Sequence, residues 1–179
     1  MDNKYHITIA GVERDLTLCP VNENLDIAAF VMFDDVELTK ASAAELLKIC
    51  PEHDVIVTAE AKGIPLAYEM AREGCGRYIV ARKHTKLYMK APLAVEVKSI
   101  TTDHVQHLFL DQIEADFIKD KRVLIVDDVI STGESLNAVE GLVKTAGGNI
   151  VGEAAVLAEG DAAKRKDIIF LEPLPLFFK

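Results

Sequence analysis

The chain has 179 residues, half of them hydrophobic, which suffices for one domain with a buried core. Its 20 Lys and Arg against 29 Asp and Glu leave a formal net charge of −9; this argues against a nucleic-acid binder but not against a small anionic ligand held by a local basic patch. No apolar run approaches the ~18 residues of a membrane helix, the polar start Met1-Asp2-Asn3-Lys4 lacks the apolar stretch of a secretory signal, and Cys19, Cys50 and Cys75 are too widely spaced for a zinc or redox pair, so the expectation is a cytoplasmic protein with reduced thiols.

Residues 1–50 mix short apolar and polar stretches, and Lys4, Arg14, Lys40 and Lys48 are their only Lys or Arg residues. They carry no basic helix-turn-helix pattern. Val55-Ile56-Val57-Thr58-Ala59 is a continuous β-branched run, as in a strand buried on both faces. Ile64 to Glu73 reads as a helix with Pro65 in its first turn, ended by Gly74 and Gly76. Arg77 to Ala81 is a second strand. Residues 82–110 show no helical period; the alternation of Leu93, Val95 and Val97 with Glu96 and Lys98 suggests an antiparallel ribbon or a loop of strand character. Val123 to Val126 is a third strand, Glu134 to Thr145 a helix stopped by Gly147-Gly148, Ile150 to Leu157 a further strand, and Ile168 to Phe170 another. Alternation of this kind implies an α/β fold with a mostly parallel sheet flanked by helices.

The segment Val123-Leu124-Ile125-Val126-Asp127-Asp128-Val129-Ile130-Ser131-Thr132-Gly133-Glu134-Ser135 carries the chemistry. In open α/β sheets ligands bind beyond the carboxyl ends of the strands. A turn leading into a helix N-terminus offers free N–H groups to a phosphate. Ser131, Thr132 and Ser135 add hydroxyls, and Gly133 permits close backbone approach. Asp127 and Asp128 could accept from vicinal hydroxyls of a sugar. The plainer alternative, acids ending a strand and Ser131 capping a helix, leaves the combination unexplained. The spacing is neither GxxxxGK[ST] nor GxGxxG.

Residues 123–135 resemble the phosphoribosyl pyrophosphate (PRPP) signature of type I phosphoribosyltransferases. The resemblance implies a fold with a small hood and a mobile catalytic loop in one domain spanning 1–179, the hood lying within about 1–50 and the loop within 82–110. It implies that Asp127 and Asp128 hold the ribose hydroxyls and act in catalysis. It likewise implies that Ser131, Thr132, Gly133, Glu134 and Ser135 cradle the 5′-phosphate, with Glu134 standing where the family often has glycine. Glu60-Ala61-Lys62-Gly63 resembles the pyrophosphate loop, with Ala61, Lys62 and Gly63 at PRPP and a cis peptide at Ala61–Lys62.

No acid occurs between Gly74 and Val95, where Arg77, Arg82, Lys83, Lys86 and Lys90 cluster. A basic window in an acidic chain suits a phosphate-bearing substrate, although a solvated charged face has the same composition. The pattern Arg82-Lys83…Lys86-Leu87 resembles the adenine branch of the family, in which these positions reach the pyrophosphate, partly across a dimer interface. In that branch Glu96 falls near a glutamate that assists proton transfer, and Phe33 near an aromatic residue that stacks on the purine; Asp34 stands where arginine usually follows. The tail from Leu171 to Phe178 is also similar.

The resemblance implies conversion of adenine and PRPP to AMP and pyrophosphate in purine salvage. It also implies Mg²⁺ carried by PRPP rather than by protein ligands, and a homodimer without nucleic-acid or membrane partners. A xanthine or guanine enzyme of the same fold, and a PRPP-binding regulator without catalysis, are the competing readings.

Overall fold

The computed structural model describes residues 3–98 and 105–179. Its centre is a five-stranded, all-parallel sheet. The strands are β4 (Val55–Ala59), β5 (Tyr78–Ala81), β8 (Arg122–Ile130), β9 (Asn149–Glu159) and β10 (Ile169–Leu174), in the order β10-β9-β8-β4-β5. Side-chain alternation divides their apolar residues between two cores. Ile56, Leu124, Val126 and Val156 pack with helices α1 (Val36–Ile49) and α2 (Ile64–Glu73). Val55, Val57, Val123 and Ile125 pack on the other face with α4 (Glu134–Thr145) and with Ile118, at the end of α3 (Gln112–Ile118). Strands covered on both faces read as unbroken aliphatic runs, which is why they were legible in the sequence.

The N-terminal region forms its own antiparallel sheet. It holds β1 (Lys4–Ile9), β2 (Val12–Asn22) and β3 (Leu25–Ala28), with β11 (Leu176–Phe178) from the far end of the chain in the order β1-β2-β3-β11. The β1–β2 hairpin turns at Ala10 and Gly11, both with positive φ. Leu176 pairs with Ile27 and Phe178 with Leu25, so the two ends of the sequence build one hood. Helix α1 begins at Asp35, whose carboxylate accepts from the Leu38 N–H and is gripped by Arg14 from β2 at 2.8 Å.

The expected ribbon is β6 (Leu93–Lys98) paired antiparallel with β7 (Val105–Leu110). Residues 99–104, within the expected mobile loop, lie outside the described residues. The ribbon lies along α4, where a Cβ at Gly141 would come within 3.1 Å of Val95, and it is tied to the main sheet by paired hydrogen bonds between Arg82 and Phe109. Three strand ends differ from the sequence reading. β9 runs to Glu159, two residues past Leu157. β8 runs on through both aspartates to Ile130, because its parallel register with β9 continues to the Ile130–Ala158 pair. β10 runs to Leu174, paired with Glu159.

Candidate active site

The carboxyl ends of β4, β8 and β9 open into a cleft of about 520 Å³ beneath the hood. Asp127, Asp128, Ser131 and Ser135 line it from β8 and the turn that follows; Glu60, Ala61 and Lys62 line it from the turn after β4. Asp128 is buried, and Lys62 Nζ approaches its Oδ2 to 2.9 Å. That contact is an ion pair off hydrogen-bond alignment, so Oδ2 has no well-directed donor. A buried acceptor left in this condition is costly unless a ligand completes it. Asp127 accepts from the Asp128 N–H at 2.9 Å. Burial, then the neighbouring Asp128 carboxylate, pushes the Asp127 carboxyl up to about 7.

The turn Ser131-Thr132-Gly133-Glu134-Ser135 encloses a smaller hollow next to Asp127. Gly133, at φ +83°, occupies the N-cap of α4. With a glycine there, no side chain caps the helix, and its first N–H groups can serve an anion. The Thr132 hydroxyl reaches the Glu134 N–H only at 3.5 Å. These five residues therefore lie together as the sequence reading placed them.

The turn after β4 corrects one detail: the cis peptide is Glu60–Ala61, one bond earlier than expected. Gly63 has a packing role beside any ligand role. A Cβ there would lie 2.4 Å from the Thr58 hydroxyl and 3.1 Å from Asp127 Oδ1, so only glycine lets this turn sit against the acid pair.

The basic window divides. Lys83 lines the cleft, and its N–H donates to the Glu60 carboxylate at 3.0 Å. Arg82 stands 3.6 Å from Glu60, at the edge of the same turn. Lys86 does not line the cleft; its N–H contacts the Met89 sulfur at 3.4 Å, in a segment where Leu87 and Tyr88 are exposed. Arg77 stacks on Phe117 at 3.6 Å, a structural use of its charge.

Two further expected residues lie elsewhere. Phe33 lines a separate groove with Pro65 and Tyr68 and is half exposed. The aromatic residue at the cleft is Phe30, three positions earlier. The chain leaves the hood after Ala28, and Phe33 falls within a turn closed by the Asp35 N–H on the Met32 carbonyl. Glu96 is exposed on the ribbon, 3.9 Å from His107, and does not line the cleft in this conformation. Sequence reasoning missed Ile27, Ala28, Ala29, Phe30, Glu159 and Leu174, which line the cleft together with Leu108 of the ribbon and Val129 of β8. The position of Glu159 just past a strand-like run was the one signal available for it.

A parallel sheet under a small antiparallel hood, with an acid pair and a helix N-terminus at the sheet's carboxyl edge, is the type I phosphoribosyltransferase fold. The family model described as phosphoribosyl transferase domain matches residues 32–174, and the chain belongs to that family.

Similar proteins include an adenine phosphoribosyltransferase of Rhodococcus jostii, 32% identical over 70% of this chain and 69% of that protein. A hypoxanthine/guanine phosphoribosyltransferase of Methanotorris igneus is 33% identical over 86% of this chain and 85% of the relative. Among solved structures, the adenine phosphoribosyltransferase of Thermoanaerobacter pseudethanolicus superposes with a TM-score of 0.71 at 22% identity, covering 88% of this chain and 95% of that one. No helix among the described residues is long and apolar enough to cross a membrane.

Proposed function

We propose that this chain transfers the phosphoribosyl group of PRPP to a purine, with adenine as the preferred base, forming AMP and pyrophosphate. The observation that carries the reading is the acid pair Asp127-Asp128 at the end of β8, followed at once by an uncapped helix N-terminus. Asp127 and Asp128 accept from the ribose hydroxyls, one of them supplying the partner that buried Oδ2 lacks. The N–H and hydroxyl groups of residues 131–135 hold the 5′-phosphate. Lys62 and Lys83 face the pyrophosphate, and Arg82 supports the turn through Glu60.

In the reaction a ring nitrogen of the base forms a bond to C1 of the ribose. The C1–oxygen bond breaks, and pyrophosphate leaves with the electron pair. Positive charge on Lys62 and Lys83 stabilises that leaving group. Glu96 is the candidate to take the nitrogen's proton, which requires the ribbon to fold over the cleft and exclude water.

Mg²⁺ fits this site as an ion carried by the substrate. The acid pair would supply the hard oxygen donors that such an ion takes. When bound, Mg²⁺ neutralises and orients the pyrophosphate.

Preference for a 6-oxopurine is the second reading, favoured by the relatives named hypoxanthine/guanine phosphoribosyltransferase. A non-catalytic PRPP-binding regulator is the remaining reading, and inactivity with every base would support it. The test measures kcat/KM for adenine, hypoxanthine, guanine and xanthine at saturating PRPP and Mg²⁺. Adenine should lead. A higher value for guanine, hypoxanthine or xanthine removes the adenine assignment, and inactivity with every base removes the transferase assignment.

A further inference from the structure

Glu159 ends β9 and lines the cleft half-buried. Among the described residues no hydrogen bond or ion pair engages its carboxyl, although nearly every other acid around the cleft has a partner: Asp127 the Asp128 N–H, Asp128 Lys62, and Glu60 Lys83 and Arg82. Burial holds the Glu159 carboxyl above the usual carboxylate range, with the charge of Lys62 pulling the other way. A half-buried acid of this kind keeps its acceptor oxygens free for a ligand in the cleft.

Its place in the sheet says what that partner is. The order β10-β9-β8-β4 sets the end of β9 on the opposite side of the acid-bearing strand β8 from β4 and its turn, although the Lys62 side chain reaches far enough for its charge to be felt at Glu159. The next residue, Gly160, packs so tightly under the hood that a Cβ would lie 2.9 Å from Leu176; Leu176 in turn pairs with Ile27 of the cleft wall. Glu159 therefore sits between the ribose acids and the hood. A carboxyl at the phosphate end would repel the substrate, whereas on the hood side, beside Ile27, Ala28 and Phe30, it would be free to accept from the N–H groups of a base placed there.

We infer that Glu159 is the specificity-determining residue for the base, accepting a hydrogen bond from the exocyclic amino group of an aminopurine. The inference rests on the transferase reading above and deepens it. Hypoxanthine lacks that amino group, and a site built to bond an amine rejects a base without one because its own polar group is left unpaired.

The experiment compares wild type with Glu159→Leu and Glu159→Gln, using adenine, guanine and hypoxanthine as second substrates. Glu159→Leu should lower kcat/KM for the preferred aminopurine by about 10- to 100-fold, collapse its advantage over hypoxanthine, and leave the KM for PRPP within about twofold, the spread expected if no phosphate contact changes. Glu159→Gln, which keeps a carbonyl acceptor, should restore most of the preference, separating base reading from mere folding.

An unchanged base ratio in Glu159→Leu, or a loss confined to the PRPP KM, overturns the inference while the transferase reading stands. Wild-type preference for hypoxanthine overturns it as well. Inactivity of the wild type with all bases removes both.

Discussion

Replacing Asp127 by Asn should make the unliganded protein more stable and lower its turnover, with the stability gain growing from about pH 4 and complete only near pH 7 and above. The Asp127 carboxyl is raised from 3.8 to about 7 by burial and by Asp128. A group raised in the folded state favours folding most below its unfolded value, and that contribution is lost as pH climbs through the folded value. Between about pH 4 and 7 the unfolded chain releases the proton while the folded chain keeps it, so wild-type stability falls across that window. The gap caps the effect at roughly 4 kcal/mol. Asp127 is partly open to the cleft, and water screens it, so ~1–2 kcal/mol is the expected size.

The amide of Asn can still accept from the Asp128 N–H, the bond that Asp127 makes, so no new unpaired group is created. For a chain of this size the gain corresponds to a Tm higher by ~2–8 °C at pH 8, shrinking to nothing below about pH 4. Thermal melts of both proteins from pH 4 to pH 8, without PRPP, measure it. A gain that is independent of pH, or largest in acid, would refute the account of Asp127 as a strained acid awaiting its ligand. The same variant should lose PRPP turnover by about tenfold or more through the lost ribose bond.

Lys62→Ala should raise the KM for PRPP more than that for the base; equal effects would mean that the turn after β4 does not hold the pyrophosphate. Gly63→Ala places a Cβ 2.4 Å from the Thr58 hydroxyl, so it should cost ~1–3 kcal/mol in chemical denaturation and displace Asp127, lowering turnover as well; unaltered stability would show that the turn yields freely. The resemblance implies a homodimer with basic loop residues serving the neighbouring site. Light scattering should give twice the chain mass, and mixing Lys86→Ala with Asp127→Asn subunits should restore part of the activity, an outcome that a fully active monomer would contradict.

The buried strands were legible because a strand covered on both faces must be apolar throughout. The cradle was legible because Asp127 to Ser135 lies within one short stretch of chain, where local geometry alone brings N–H groups, hydroxyls and carboxylates together. Sequence order also placed Ala61, Lys62 and Gly63 at a strand end, hence at the ligand edge of a parallel sheet.

The hood's rough place within residues 1–50 came only from the resemblance, and its strands and their partner β11 were not legible. Its strands are half-buried, and the pairing of Leu176 with Ile27 joins residues about 150 positions apart, a contact that no local pattern encodes. Phe33 was set at the base and Phe30 was not; Phe33 falls within the turn closed by the Asp35 N–H on the Met32 carbonyl and is half exposed, while Phe30 is buried at the cleft wall. Glu159 lies beyond the strand expected over Ile150 to Leu157 and drew no notice in the sequence; only the longer β9 and the sheet order put it between the ribose acids and the hood. Chemistry carried by one contiguous segment is written in the sequence, whereas the cleft wall, assembled from β3, β9 and the approach to β11, exists only once long-range packing has closed it.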